Sequence, residues 1–260
     1  MELFQLKDHV AIVTGASRGI GKAIAVGYAQ AGADVVIGAR NEEDLKAVST
    51  EIESCGRKAI AVSGSLAKRE GLEALVDAAI ENFGTVTTVV NNIGGSMPSG
   101  FMDTTEDAFL EALRWNVATA FNLTQLAVPH LAKSTNGSVI NIASAAGRFP
   151  SRGFAAYGTA KAAMLQLTLN TALDLAPRIR VNAIAPGAIK TAALEIVLTN
   201  EEIHQTMIDG TPMGRLGEVR DVTAAAIYLA SPAATYVTGQ ILGVDGGIRS
   251  SNFDMGIPNV

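Results

Sequence analysis

Three residues stand out for what their side chains and spacing could do. Ser144 closely follows the apolar run Ser138–Ile142, and Tyr157 and Lys161 lie four positions apart shortly after it. On a helix, that spacing puts the phenol and the ammonium on one face. A free phenol titrates near about 10, too high for a base at neutral pH, but an adjacent cation stabilises the phenolate. Tyr157 could then give a proton to a carbonyl oxygen or take one from an alcohol, with Ser144 orienting that oxygen. A tyrosine and a lysine one turn apart are, taken alone, ordinary residues of a helix surface. The pair gains meaning from its surroundings.

A second set suits a phosphate. After the apolar run Val10–Val13 comes Thr14-Gly15-Ala16-Ser17-Arg18-Gly19-Ile20-Gly21, then the apolar start of a helix. Gly15 permits a tight turn, Gly19 lets a pyrophosphate approach the backbone, and Gly21 lets helix and strand pack closely. The helix N-terminus adds free N–H groups and positive potential. The spacing is Gly-x-x-x-Gly-x-Gly, not the Gly-x-Gly-x-x-Gly of other dinucleotide folds. Ala39-Arg40 ends the next apolar stretch, about where an NAD site carries an acid and an NADP site accommodates the 2′-phosphate with arginine. Glu42, Glu43 and Asp44 follow, but Asn41 reads as an N-cap and the acids suit a first helical turn. With Arg18 as a second cation, Arg40 favours NADP(H) over NAD.

These groups need a scaffold that gathers strand ends. Short Val/Ile-rich runs at Val10–Val13, Asp34–Ile37, Ala59–Val62, Thr87–Val90, Ser138–Ile142, Ile179–Ala183 and Ile241–Val244 read as strands buried on both faces of a parallel sheet. Helical patterns lie between them, near 20–31, 42–55, 69–83, 105–132, 155–175 and 218–230. Strict alternation implies right-handed βαβ crossovers and a doubly wound α/β fold. No linker or repeat divides the chain, so residues 1–260 read as one domain. The alternation lapses only at 190–217, an insertion of the kind that forms active-site lids.

Composition excludes other classes. With 48% hydrophobic residues and 26 glycines, the chain has material for a large core and tight turns, not for disorder. The lone Cys55 rules out a disulfide framework. Lys and Arg number 20 against 25 Asp and Glu, a net charge of -5, which argues against nucleic acid as a partner. His9, His130 and His204 show no metal-ligand spacing. The longest uncharged stretch, 222–244, is broken by Ser231-Pro232 and carries Thr235, Thr238, Gly239 and Gln240, so no membrane span is expected. The opening MELFQLKD lacks the regions of an export signal, and the expectation is a cytoplasmic protein.

Together the motifs resemble those of the short-chain dehydrogenase/reductase family over essentially the whole chain. Thr14–Gly21 matches its glycine motif, Asn91-Asn92-Ile93-Gly94 its Asn-Asn-Ala-Gly motif, and Asn116 its helix asparagine. Ser144 matches its oxygen-binding serine, Tyr157-x-x-x-Lys161 its acid/base motif, and Pro186-Gly187-x-Ile189-x-Thr191 the segment that receives the nicotinamide. The resemblance implies a Rossmann-type fold with a seven-stranded parallel sheet of order 3-2-1-4-5-6-7. It also implies hydride transfer with Tyr157 as general acid/base, Ser144 polarising the substrate oxygen, and Lys161 binding ribose hydroxyls and tuning Tyr157. Asn116 would anchor a water that relays protons from Lys161. Cofactor contacts are expected along the glycine loop, Ser17 and Ile20 included, and from Arg40, Asn92, Gly94, Tyr157, Lys161 and the 186–191 segment. Two positions depart from the family pattern. Ile93 replaces a small Ala, and Ser65-Leu66 stands where an Asp or Asn plus an apolar residue commonly meet the adenine; Ser65 and Leu66 are still expected at the cofactor, the Ser65 hydroxyl able to bond the adenine N6.

Within the family the resemblance leans toward bacterial 7α-hydroxysteroid dehydrogenases, through 185–194 and 231–242, although their NAD-type members carry Asp where this chain has Ala39. The expected activity is hydride transfer between NADP(H) and a secondary alcohol or ketone, the substrate being bulky, apolar and steroid-like or cyclic. A 3-oxoacyl-[acyl-carrier-protein] reductase would share the catalytic residues and want a basic rim, for which Arg148 and Arg152 are candidates. A non-catalytic NADPH-binding module would be expected to lose Tyr157 or Lys161. Three segments that follow strands should ring the substrate: Gly95–Met102, with Met97, Phe101 and Met102; the stretch holding Phe149, Pro150 and Phe154; and the insertion, with Leu194, Val197, Leu198, Met207 and Met213. A homotetramer is expected from the resemblance and from apolar Phe109, Leu113, Phe121, Leu165, Leu167 and Leu169. Trp115 reads as core or interface.

Overall fold

A computed structural model of the chain describes residues 2–192, 194, 199–252 and 257. Seven strands, β1 (Val10–Thr14), β2 (Asp34–Ala39), β3 (Ala59–Ser63), β4 (Thr88–Asn91), β5 (Gly137–Ile142), β6 (Ile179–Pro186) and β7 (Ile241–Val244), form one parallel sheet of order β3-β2-β1-β4-β5-β6-β7. The strand order switches sides between β1 and β4, which opens a crevice at the carboxyl ends where such folds bind ligands.

Side chains alternate across the pleat, and each strand feeds two cores. Ala11 and Val13 of β1 join one cluster and Val10 and Ile12 the other. The first cluster packs under α1 (Gly19–Gln30), α2 (Glu42–Ser54) and α8 (Val219–Ala230). The second packs under α3 (Arg69–Phe83), α5 (Thr119–Leu131) and α6 (Ala155–Leu175). This is why the inner strands read as unbroken apolar runs. The edge strands differ from that expectation: β3 and β7 are only partly buried, because each pairs on one side alone.

Local signals place the remaining elements. Asn41 caps α2 as expected, its Oδ1 accepting from the N–H groups of Glu43 at 3.0 Å and Asp44 at 3.3 Å. The long pattern 105–132 divides into α4 (Glu106–Leu113), a π-turn (Arg114–Ala118) and α5. Helix α4 packs on α6 through Ala112, Ala156 and Ala160, with Phe109 and Leu113 alongside. Trp115 packs against the second core, whereas Phe121 is 47% exposed. The insertion carries α7 (Glu201–Asp209). Among the described residues, no helix is long and apolar enough to cross a membrane.

Candidate active site

The glycine loop between β1 and α1 is held by a threonine and an asparagine. Thr14 Oγ1 donates to the Val90 carbonyl and accepts from the N–H groups of Asn92 at 3.0 Å and Ile93 at 3.3 Å. Asn92 Nδ2 donates to the carbonyls of Thr14 at 3.0 Å and Gly15 at 3.2 Å. Both N–H groups of its amide are therefore committed to the loop, and Asn92 shapes the loop. Gly15 and Gly19 have φ of 64° and 57°, the left-handed region that disfavours a side chain. Gly21 is needed for closeness: a Cβ there would lie 2.4 Å from both Asn92 Nδ2 and the Gly15 carbonyl. A Cβ at Gly19 would lie 3.6 Å from Thr191 Cγ2, so the loop and the 186–191 segment face each other across a narrow gap.

Free N–H groups at the start of α1, and a loop that carries no side chain at Gly15 and Gly19, fit a pyrophosphate. Arg18 and Arg40 are exposed at the same end of the sheet, and neither has an ion pair among the described residues. At the positions that depart from the family pattern, two side chains settle inward. Ile93 joins the second core, and Leu66 is 2% exposed with its side chain against the same core. Ser65 is exposed.

Ser144, Tyr157 and Lys161 come together at the end of β5. Ser144 caps a short turn (Ala145–Gly147), its Oγ accepting from the Ala146 N–H at 3.1 Å. That turn lies directly on α6, since a Cβ at Gly147 would stand 2.6 Å from the Lys161 carbonyl carbon. Tyr157 is hydrogen-bonded to Ser144; burial raises its pKa, and this bond opposes the rise. Lys161, 3% exposed, donates from Nζ to the Ile142 carbonyl at 3.0 Å, with Nζ 5.8 Å from the Tyr157 ring centre. Burial pulls its pKa down to about 8. The shared helix face expected from the i,i+4 spacing is present.

Asn116 sits fully buried in the π-turn, an irregularity often found at functional sites. Its Nδ2 donates to the carbonyls of Ala112 at 2.8 Å and Gly95 at 3.1 Å, and its Oδ1 accepts from the Gly95 N–H at 2.9 Å. It thereby pins the loop after β4 beside Lys161. Below lies a buried polar chain. Asn91 Nδ2 donates to Thr124 Oγ1 and to Asn141 Oδ1 at 2.8 Å, and Asn141 Nδ2 donates to Thr168 Oγ1 at 2.9 Å. It ties β4, β5, α5 and α6 into one rigid base.

A cavity opens over Ser144 and Tyr157. Phe149 and Phe154 line it from the stretch after β5, Pro186 and Gly187 from the end of β6, and Leu194 and Met207 from the insertion. Phe154 meets the Tyr157 ring edge-on at 5.5 Å. Of the other insertion residues, Met213 is exposed and lies beside Gly246, while Val197 and Leu198 fall outside the described residues.

The third expected wall is corrected. Met97, Phe101 and Met102 are 83%, 75% and 75% exposed and do not line this cavity. Their loop is tied to the stretch after β5, the Ser99 N–H donating to the Gly153 carbonyl at 2.9 Å. The segment after β7 takes that place, through Ile248, Ser251 and Asn252. Sequence reasoning missed these residues. The rule that ligands sit at carboxyl strand ends applied to β7 as well, and Gly246 and Gly247, with φ of 66° and 86°, mark the turn that brings the chain back.

The site can polarise a carbonyl oxygen and exchange a proton with it beside a phosphate-binding loop. Comparison with known proteins agrees. A family model described as enoyl-(acyl carrier protein) reductase matches residues 15–249. An uncharacterized oxidoreductase of Mycobacterium tuberculosis is 49% identical over 261 residues, covering 100% of this chain and 99% of that protein. The 7α-hydroxysteroid dehydrogenase of Escherichia coli K12 is 43% identical, covering 94% and 95%. A solved structure of a 7α-hydroxysteroid dehydrogenase complexed with NADH and 7-oxo glycochenodeoxycholic acid superposes with a TM-score of 0.91 at 42% identity, covering 95% of this chain and 96% of that one. The strand order and these likenesses lead to one conclusion: the chain is an oxidoreductase that belongs to the short-chain dehydrogenase/reductase family.

Proposed function

We propose that this chain transfers hydride between NADP(H) and a bulky, largely apolar ketone or secondary alcohol, steroid-like or otherwise cyclic. The observation that carries the reading is an apolar cavity with Ser144 and Tyr157 on its wall and Lys161 fixed behind them. Bound nicotinamide would supply or take up the hydride. In the reducing direction Ser144 Oγ and Tyr157 Oη both donate to the substrate oxygen, and Tyr157 gives up its proton as negative charge grows there. The Lys161 ammonium favours the phenolate left behind. Asn116 holds the 94–95 loop beside Lys161 and would anchor the water through which the proton is replaced.

The glycine loop and the 186–191 segment would hold the cofactor, with Lys161 on its ribose. Arg18 and Arg40 support the 2′-phosphate, whereas the solved relative is complexed with NADH. Two findings favour a small substrate over an acyl carrier. Arg148, a candidate for a basic rim, pairs with Asp245 at 2.9 Å, and Arg152 donates to the Ile257 carbonyl. As a homotetramer the protein would cover Phe121 and Leu173, which is 81% exposed; sedimentation as a 26.9 kDa monomer at micromolar concentration would refute that assembly.

The test is NADPH oxidation with a panel of ketones, beside the Tyr157→Phe variant. Turnover with cyclic ketones that falls about 10²- to 10⁴-fold in the variant supports the reading. Tight NADPH binding with no ketone turned over would replace it with a non-catalytic module.

A further inference from the structure

One polar atom on the cavity wall is left over by the mechanism. Among the described residues, five polar side chains line the cavity: Ser144, Ser151, Tyr157, Ser251 and Asn252. Ser144 and Tyr157 bond each other at the reacting end. Ser151 and Ser251 bond each other through their hydroxyls. Asn252 is different. Its Nδ2 donates to the Met207 carbonyl at 3.0 Å and to Thr211 Oγ1 at 2.9 Å.

Those two bonds fix which way the amide faces. Met207 offers a carbonyl, which only accepts. The Thr211 hydroxyl already donates to that same carbonyl at 2.7 Å, so toward Asn252 it too must accept. Both partners demand a donor, and the amide nitrogen has to face them. Asn252 Oδ1 therefore faces away from α7, and it has no partner among the described residues. It is also accessible, since it is absent from the buried polar atoms that lack a bond.

An accessible acceptor on a residue that lines a largely apolar cavity is satisfied by water while the cavity is empty. A bulky substrate displaces that water. If the substrate brings no donor, Oδ1 is left unpaired, and burying an unpaired acceptor costs more than the bond is worth when made. We infer that Asn252 is a specificity residue whose Oδ1 accepts a hydrogen bond from a hydroxyl on the substrate, so the enzyme takes cyclic ketones that carry a second, non-reacting hydroxyl group. The inference rests on the proposed ketone reduction and adds a requirement to it. The apolar walls from Phe149, Phe154, Leu194 and Met207 hold the ring system, and the acceptor on the C-terminal segment sets its register.

The test uses regioisomeric hydroxydecalones with NADPH. Each isomer is paired with the deoxy ketone and with its own methyl ether, which keeps the oxygen but cannot donate. For at least one isomer, wild-type kcat/KM should exceed both controls about tenfold, and Asn252→Ala should bring that ratio to near one. A purely structural role, clipping the C-terminal segment to α7, would lower all three substrates together and keep the ratio. A ratio near one for every isomer in the wild type, or a ratio unchanged in the variant, overturns the inference while leaving the reductase reading in place. No turnover of any decalone, the deoxy compound included, overturns the inference together with that reading.

Discussion

A methyl group at Gly94 would stand 2.6 Å from the Lys161 ammonium nitrogen and 2.6 Å from Asn116 Oδ1. The loop after β4 therefore reaches the lysine only because residue 94 has no side chain. Gly94→Ala must push one neighbour aside. The lysine end is the one able to move, because Asn116 is tied at three points. We expect the variant to fold with a Tm within a few degrees of wild type and to lose about 100-fold in kcat/KM, the scale of an ångström-sized misplacement. Kinetics beside a melting curve check this; unaltered kcat/KM would mean that the position of Lys161 does not matter.

Burial at this site has a pH signature in stability. Lys161 titrates at about 8 in the folded protein, against about 10.4 in an unfolded chain. Between those values the unfolded state binds more protons, so stability rises with pH across that window. The cost of burying the ammonium is full below pH 8 and fades toward pH 10. Lys161→Met removes the titration. Without added cofactor, the stability of wild type relative to this variant should therefore increase from pH 7 to pH 10, by an amount on the order of 3 kcal/mol. Denaturant melts at both pH values measure it, and a constant difference would refute it.

Cofactor choice should turn on Arg40. The start of α2 depends on Asn41, whose Oδ1 caps the helix, and so does not depend on the neighbouring arginine. Arg40→Asp should leave the Tm unchanged and weaken NADPH about 10- to 100-fold while NADH is spared, since a charge-assisted bond to phosphate is worth about 1.5–3 kcal/mol. Titrations of both cofactors decide it. A wild-type preference for NADH would sink the assignment.

The parts of the fold and site that rest on periodicity or local spacing were legible in the sequence. β-Branched runs set the strands, Asn41 announced its helix, and the Tyr157–Lys161 spacing guaranteed a shared face. Side chains whose roles depend on distant partners were not. Asn92 belongs to a motif that suggests cofactor contact, and the motif does not show that its amide nitrogen holds Thr14 and Gly15, more than 70 positions earlier. Met97 and Phe101 are exposed on a loop that is held to Gly153, more than 50 positions from it, by the Ser99 N–H. Hydrophobicity alone could not say which apolar loop turns inward. Asn252 escaped notice because an asparagine near a chain end carries no pattern; only its bonds to Met207 and Thr211 make it a fixed acceptor.

The insertion should act as the apolar wall of the substrate site and not merely as packing. Leu194 and Met207 both line the cavity, and Met207, on α7, is only 2% exposed. Truncating a buried methionine costs about 2–5 kcal/mol of stability, so Met207→Ala must be assayed well below its Tm. Leu194→Ala, at a partly exposed position, avoids that complication. Any loss from unfolding scales down all substrates alike, whereas lost wall contacts are felt only by a substrate that fills the cavity. Each missing methylene is worth about 1–3 kcal/mol in discrimination, so a cyclic ketone should lose about 10-fold or more in kcat/KM in each variant. A small acetoacetyl ester, which cannot reach both walls, should lose little. Equal losses on the two substrates, or none on either, would show that these side chains only pack the insertion onto its neighbours.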